Sequence, residues 1–154
     1  MIIIGYQGIG KSTIAKNNPN IIDLESKCFW YNGERPEDWY VYYCQIAEHL
    51  SKQGYTVFVS SHKEVRGFLV DNCTEPFGAI VPATYLRYDW IEKLHRRYLK
   101  TNSEKDKKAW KNAEDRYIEN IQEICEDIDN YVVIQKMDYS LNSVIDMLQQ
   151  SLDI

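Results

Sequence analysis

Short apolar runs alternate along this chain with stretches in which apolar residues recur at helical spacing. Runs of this length, bounded by turn-forming residues, predict buried strands. The five predicted strands lie in the segments MIII, NIIDLES, YTVFVS, GAIVP and YVVI. Because strands and helices alternate, the pattern predicts a single α/β domain over residues 1–154, with a parallel sheet covered by helices on both faces.

The stretches between the runs predict six helices. The first begins at Lys11 and is broken before Pro19. Pro36 suits the first position of the second helix, and Ser61, three residues before Glu64, suits the cap of the third. The later helices are predicted at about 88–99, 110–128 and 141–152. The inward face of the second helix is expected to carry Trp39, Tyr43, Ile46 and Leu50.

The composition is that of an ordinary globular domain. With 154 residues, of which 44% are hydrophobic and 27% charged, the chain is long enough to bury a core without covalent or metal cross-links. The net charge of −5 gives no support to a general affinity for nucleic acid, so any such contact would need a local basic patch.

The cysteines and the N-terminus bear on the compartment. The four cysteines are scattered and form no Cys-x-x-Cys pair, which favours reduced thiols over zinc or disulfides. Met1 leads directly into the first predicted strand, and no apolar run approaches the length of a membrane span. We therefore expect a cytoplasmic protein with no targeting segment and no membrane partner.

The segment GYQGIGKS, from Gly5 to Ser12, satisfies the pattern G-x-x-x-x-G-K-[ST] in full. Such a loop wraps its backbone amides around a polyphosphate, and it needs glycine where a side chain would collide or where φ is positive. Lys11, expected on the exposed loop, would reach the β- and γ-phosphates, and the Ser12 hydroxyl would ligate Mg²⁺. The motif predicts a nucleoside triphosphate site formed by Gly5, Gly8, Ile9, Gly10, Lys11, Ser12 and Thr13.

Two acidic residues, Asp23 and Glu25, follow the apolar part of the second strand. Acidic residues at a strand end often only cap the next turn. In a parallel sheet, however, the carboxyl ends of the strands face the ligand crevice. Asp23 is therefore a candidate catalytic and metal-binding residue, and Glu25 is a candidate acceptor-binding residue.

Aromatic residues cluster between residues 29 and 43. Trp39 and Tyr43 lie on the predicted inward face of a helix and are expected to pack in the core. Trp30 precedes that helix in a glycine-containing loop, where a nucleobase would stack on it and Arg35 would meet an acceptor phosphate. A rigid aromatic wall beneath the helix explains this loop equally well.

The segment GYQGIGKST, with its additional Gly8, resembles the phosphate-binding loop of small P-loop kinases related to nucleoside monophosphate, shikimate and gluconate kinases. DLES is similar to the second strand of the shikimate-like members, which ends in an Asp-x-Asp pair. IVPATYLRYDWIEKLHRRY looks like the fourth strand and the arginine-bearing helix that leads into their lid. The segment VFVSSH departs from the family, because many members end their third strand with an aspartate near the magnesium ion.

This resemblance implies a P-loop NTPase three-layer sandwich with a five-stranded sheet in the order 2-3-1-4-5. It also implies an acceptor-binding segment at about 25–53 and a mobile lid at about 95–116. Arg96 and Arg97 would be catalytic residues of the lid, although paired cations near a helix end are also common as solvated charges. With no carboxylate on strand 3, Ser12 and Asp23 are left to position the metal.

Together these residues predict an ATP-dependent kinase that moves the γ-phosphoryl group to a nucleotide or nucleoside-like acceptor, with ATP and Mg²⁺ as cofactors. Positioning and charge neutralisation would account for most of the catalysis. A kinase for another hydroxyl acceptor, such as a sugar, a small metabolite or a modified nucleic acid, is one alternative. A GTPase-like or partner-regulated NTPase is another, because QKMD at 135–138 differs by one letter from the guanine-reading Asn-Lys-x-Asp pattern.

Overall fold

A five-stranded parallel sheet forms the centre of the computed structural model, which describes residues 1–153. The strand order is β2-β3-β1-β4-β5, as predicted. All pairings are parallel. The strands are β1 (Ile2–Gly5), β2 (Ile21–Asp23), β3 (Thr56–Val59), β4 (Phe77–Pro82) and β5 (Tyr131–Ile134).

Six α-helices connect or follow the strands within residues 1–153, and the predicted order of elements is confirmed. They are α1 (Lys11–Lys16), α2 (Trp39–Lys52), α3 (Lys63–Asn72), α4 (Arg87–Thr101), α5 (Glu104–Asp127) and α6 (Leu141–Leu152). With right-handed crossovers, this strand order places α1 on one face of the sheet and α2 to α5 on the other. None of the helices in residues 1–153 is long and apolar enough to cross a membrane.

The central strand β1 explains why the sheet forms around the N-terminal segment. Ile2, Ile3 and Ile4 have no exposed surface, and β1 pairs with β3 on one side and β4 on the other. A strand that is covered on both faces is selected as a continuous apolar run. Because β1 is held on both sides, the loop that follows it starts from a fixed point.

The α4–α5 hairpin covers the part of the chain predicted as a lid. An aromatic stack joins the two helices: the Trp110 ring lies 4.1 Å from His95 and 5.7 Å from Tyr98, centre to centre. Asn102 adopts a left-handed conformation (φ 53°) at the turn between them. The backbone of α5 is interrupted at Arg116, where φ is −141°.

The predicted start of the fifth helix near residue 110 is wrong: α5 begins at Glu104, where the Ser103 side chain caps it by accepting the Asp106 amide.

Three other local predictions are also wrong. The second helix begins at Trp39 and not at Pro36, because the Pro36 carbonyl accepts the Trp39 amide in a turn that precedes the helix. Ile46 is 43% exposed, since the buried side of α2 is centred on Tyr43 and Ala47 and leaves Ile46 at its edge.

The last error concerns the cap of α3. Ser61 does not cap this helix; His62 occupies the N-cap position, and its side chain accepts no capping hydrogen bond. The Ser61 carbonyl instead accepts a hydrogen bond from the Arg66 guanidinium at 2.7 Å. Arg66 is 5% exposed and also pairs with Asp127 at 3.0 Å, so the need to pair this buried cation fixes the start of α3 and ties α3 to α5.

We predict opposite effects on stability at two glycines. A Cβ at Gly78 in β4 would lie 2.7 Å from both the Asn130 carbonyl oxygen and a Leu148 methyl carbon, so Gly78→Ala should lower the free energy of unfolding by about 1–3 kcal/mol. Gly67 in α3 has open space around it, so Gly67→Ala should raise that free energy by about 0.5–1 kcal/mol. Urea unfolding of both variants measures this, and a Gly78→Ala protein as stable as the parent would contradict the packing of α6 on β4.

Candidate functional site

The carboxyl ends of three neighbouring strands bring the predicted site residues to one edge of the sheet. Strand β1 leads into the segment Gly5–Ser12, β2 ends at Asp23, and β3 leads into Ser60 and His62. In open parallel sheets this edge carries the ligand crevice. The strand order therefore gathers residues that are far apart in the sequence.

The glycine loop between β1 and α1 has a backbone that only glycine adopts freely. Gly8 has φ 89° and Gly10 has φ 105°, both in the left-handed region. Packing adds a second requirement at Gly8, because a Cβ there would lie 2.9 Å from a Leu94 methyl carbon and 3.2 Å from the Trp90 indole nitrogen. The loop is thus pressed against α4 at its middle glycine.

The amide groups of this loop are free to bind an anion. Among residues 1–153, no acceptor takes a hydrogen bond from the backbone N–H groups of Gln7 to Thr13. The carbonyl groups, by contrast, have partners: the Trp90 indole donates to the Gln7 oxygen at 2.9 Å, and the Tyr139 hydroxyl donates to the Ile9 oxygen at 2.8 Å. Fixing the carbonyls while the amides stay unpaired leaves a cradle of donors, which is the arrangement that a polyphosphate requires.

Lys11 is the first residue of α1 and is half-buried, so the expectation of an exposed loop position is wrong. The structure turns the side chain back across the loop: a Cβ at Gly5 would lie 2.9 Å from Lys11 Cδ, and Lys11 Nζ donates to the Gly5 carbonyl at 3.3 Å. Burial lowers the pKa of the Lys11 ammonium, whereas the Asp23 carboxylate raises it. The site therefore partly buries the Lys11 ammonium, and the Asp23 carboxylate offsets only part of the cost of removing it from water.

Asp23 is the nearby anion. It is half-buried at the end of β2, and burial raises the pKa of its carboxyl group, while Lys11 acts in the opposite direction and Glu25 in the same direction. A carboxylate with a raised pKa beside a cation is suited to proton transfer or to metal binding. The structure thus brings together Lys11 and Asp23, as predicted.

The hairpin adds two cations to this group. Arg97 and Lys105 both lie close enough to lower the pKa of Lys11. Lys105 Nζ is 2.9 Å from a Glu25 carboxylate oxygen, and Arg97 Nε is 2.9 Å from Asp106. Sequence reasoning missed Lys105, which lies within the predicted lid but has no motif to distinguish it from the other lysines there.

The two arginines assigned to the lid differ in their surroundings. The Arg96 side chain is 75% exposed and pairs with Glu92 one turn earlier on α4. The Arg97 side chain is 39% exposed. A cavity of about 620 Å³ opens beside Gly8, and both arginines line it. The rest of its lining comes from the same face of α4 and from Met137: Asp89, Glu92, Lys93, Leu94 and Lys100.

The aromatic run divides into core and surface residues. Trp39 and Tyr43 are buried, so the predicted packing role is confirmed for both. Trp30 is 52% exposed, and the Arg35 guanidinium carbon lies 4.9 Å from its ring centre and 3.8 Å from that of Trp39. Arg35 thus contacts two indole rings beside an open pocket of about 480 Å³. Within the described residues Arg35 donates no hydrogen bond and forms no ion pair, so its N–H groups remain available.

Strand β3 leads into a hydroxyl–imidazole pair, at a strand end where the sequence has no carboxylate. His62 Nδ1 lies 2.7 Å from Ser60 Oγ, and the His62 ring packs against Trp39 at 5.3 Å. Partial burial lowers the pKa of His62, and Arg35 acts in the same direction. Both effects favour the neutral form of the His62 imidazole.

The assignment of Mg²⁺ to Ser12 and Asp23 depends on a bound phosphate group. Ser12 and Thr13 are exposed at the start of α1. In residues 1–153 no group of three or more His, Cys, Asp or Glu residues is placed to hold a metal ion. Mg²⁺ at Ser12 and Asp23 would therefore need phosphate oxygens to complete its coordination.

Comparisons of the chain with models of protein families, with curated proteins and with solved structures gave no match.

We predict that Tyr139→Phe weakens anion binding by the loop without unfolding the protein. The change keeps the ring, which stacks on Trp90, but removes the hydroxyl that fixes the Ile9 carbonyl. Affinity for inorganic tripolyphosphate, measured by calorimetry, should fall about fivefold, the equivalent of about 1 kcal/mol for one hydrogen bond. Tyr85→Phe is the control, because the Tyr85 hydroxyl bonds to Gln135 and not to the loop. Equal affinities for the two variants would contradict a role for Tyr139 in shaping the cradle.

Proposed function

We propose that the chain is an ATP-dependent phosphotransferase that acts on a nucleotide or nucleoside-like acceptor. The observation that carries this proposal is the row of unpaired amides from Gln7 to Thr13, together with the half-buried Lys11 side chain that folds back over the loop to the Gly5 carbonyl. A run of free donors with an enclosed ammonium is costly unless an anion binds it. The sheet order 2-3-1-4-5 and the position of the loop directly after β1 support a P-loop NTPase three-layer sandwich.

ATP would supply the phosphoryl group, and Mg²⁺ held by Ser12 and Asp23 would neutralise part of its charge. The loop amides would orient the phosphates, and Lys11 would exchange the Gly5 carbonyl for a phosphate oxygen. Arg97 and Lys105 lie on the hairpin side of Lys11, where they would balance further negative charge. Arg96 is more exposed, and we assign it a role at the cavity beside Gly8, where it would meet the nucleoside end of the donor.

Arg35 supports an acceptor that carries an anionic group. The Arg35 guanidinium lies over the Trp30 and Trp39 rings, and within residues 1–153 its N–H groups have no hydrogen-bond or ion-pair partner. A guanidinium placed in this way is suited to bidentate recognition of a phosphate. The exposed face of Trp30 offers a stacking surface for a base. The nearby Glu34 and Glu37, which also line this pocket, would accept hydrogen bonds from sugar hydroxyls or base amino groups.

One observation favours a hydroxyl acceptor as the second candidate. Burial raises the pKa of Asp23, which brings its carboxylate closer to the basicity needed to take a proton from an alcohol. A phosphate acceptor is already a nucleophilic anion at neutral pH and needs no such base.

We predict that Lys11→Ala abolishes phosphoryl transfer and leaves the fold intact. Loss of the ammonium should reduce turnover by about 10²- to 10³-fold or more, the range for removing one group that stabilises transition-state charge. Because burial disfavours the charged form of Lys11, the variant should unfold at no lower urea concentration than the parent. ADP release with a panel of nucleoside, nucleotide and polyol acceptors measures activity, and Lys16→Ala, at the exposed end of α1, is the control. Parental turnover in Lys11→Ala would remove the loop from the mechanism.

We predict that Asp23→Asn distinguishes the two acceptor classes. With a phosphate acceptor the variant loses mainly metal organisation, so raising Mg²⁺ should restore much of the rate. With a hydroxyl acceptor the loss of the base should persist at saturating Mg²⁺, at about 10²- to 10⁴-fold. Rates measured over a Mg²⁺ titration decide between them, and we expect recovery. A deep defect that Mg²⁺ leaves unchanged would show that the acceptor group is a hydroxyl.

A further inference from the structure

The tip of the α4–α5 hairpin concentrates positive charge, although the two helices as a whole carry ten basic and ten acidic residues. Residues 93–111 contain eight Lys and Arg and two Asp and Glu, a net charge of +6, whereas the whole chain carries −5. All the other residues together therefore carry −11. We name this segment the basic hairpin. A segregation of this size in one supersecondary unit creates a local field that the net charge conceals.

The lysines of α5 occupy positions that weaken the helix. Lys105, Lys107 and Lys108 lie within its first five residues, at the positive end of the helix dipole. Lys105, Lys108 and Lys111 also follow one another at three-residue spacing, where like charges repel. Acidic residues at these positions would stabilise the helix, so its own stability does not account for the lysines.

Part of this charge has no partner within the molecule. Ion pairs engage Arg96, Arg97, Lys105 and Lys111. In the part of the chain that the structure describes, Lys100, Lys107 and Lys108 are exposed and take part in no ion pair or hydrogen bond. Lys93 donates to the Tyr139 hydroxyl and lies over the Trp90 ring, without a carboxylate partner. Four cations thus remain uncompensated along the hairpin.

The shape of this surface limits what covers it. Lys93 and Lys100 line the concave cavity of about 620 Å³ beside Gly8, whereas Lys107 and Lys108 lie beyond the turn on the exposed side of α5. A flat membrane surface would not enter the cavity. A nucleoside triphosphate in the glycine loop, near Arg97 and Lys105, would leave the lysines of the cavity and of the exposed side of α5 without a partner. A chain of regularly spaced phosphates fits both parts.

We propose that the basic hairpin binds the sugar–phosphate backbone of a nucleic acid strand. The binding is electrostatic and carries no base readout, since the aromatic rings within the hairpin are occupied: Trp110 stacks on His95 and Tyr98, and Lys111 lies over it at 4.2 Å. This function does not depend on phosphoryl transfer by the glycine loop. The local basic patch that nucleic-acid contact requires is thereby identified at residues 93–111.

Fluorescence anisotropy with a labelled single-stranded DNA 12-mer, at KCl concentrations between 50 and 200 mM, tests the proposal. The parent protein should bind at 50 mM with an affinity that falls steeply with salt. Lys107→Glu/Lys108→Glu should weaken binding at least tenfold at 50 mM and reduce the slope of log affinity against log salt by about 1.4, from about 0.7 for each lost contact on a single strand.

Two controls make the result specific. Lys52→Glu/Lys63→Glu imposes the same change in net charge away from the hairpin and should retain most of the affinity and the parental salt slope. Lys11→Ala should also bind as the parent does. The unfolding midpoint of Lys107→Glu/Lys108→Glu is expected to rise, because acidic residues stabilise the start of α5. A midpoint that does not fall shows that the variant is folded, so its weaker binding is not caused by unfolding.

Several outcomes would overturn the proposal. If the parent protein does not bind the 12-mer at 50 mM KCl, the hairpin does not bind a nucleic acid strand. If the two double variants lose equal affinity, the hairpin makes no specific contribution to binding. Loss of binding in Lys11→Ala alone would mean that the oligonucleotide only occupies the glycine loop. Binding to phosphatidylserine vesicles in preference to the 12-mer would assign the surface to a membrane.

Discussion

The unpaired amides of the glycine loop are the constraint on which the rest of the site depends. A buried backbone N–H without a partner costs free energy, so a loop with a row of free amides persists only if other contacts hold its shape. Those contacts lie behind the loop, where Trp90 and Tyr139 bind the carbonyls of Gln7 and Ile9. Gly8 then lets the loop approach α4 closely. Helix α4 and the segment before α6 therefore preserve a surface of unpaired donors.

The charged side chains around the loop are also placed at a cost in free energy. Burial lowers the pKa of Lys11 and raises that of Asp23, so the protein disfavours both charges while it places them close together. Their mutual attraction offsets part of this cost, and a polyphosphate with a metal ion would offset more. Perturbed groups of opposite sign at the open edge of a parallel sheet are typical of sites selected for chemistry at the expense of stability.

The α4–α5 hairpin connects the site to the outer surface. Its inner side meets the loop through Gln7, whose amide lies 3.3 Å from the Asn112 side chain, and meets the strand-2 segment through the Lys105–Glu25 pair. Its outer side carries unpaired lysines. The interruption of α5 at Arg116 separates this first half of the helix from the half that packs on the sheet. A single unit thus borders the candidate site and presents a basic surface, which would place a bound strand next to the glycine loop.

The strands and the glycine loop could be predicted from the sequence, because both depend on requirements that are local in the chain. The apolar run of β1, the glycines at 8 and 10 and the lysine at 11 are requirements of burial, backbone angle and charge that act within a few residues. The set of side chains that surround the loop, by contrast, depends on tertiary packing and could not be predicted. Nothing in the local pattern distinguishes Lys105 from Lys107, marks Tyr139 as a partner of the Ile9 carbonyl, or shows that Arg97 approaches Lys11 while Arg96 turns to Glu92. Those choices follow from how α4 and α5 pack against the sheet, since contacts between residues distant in the chain depend on packing geometry and not on sequence neighbours.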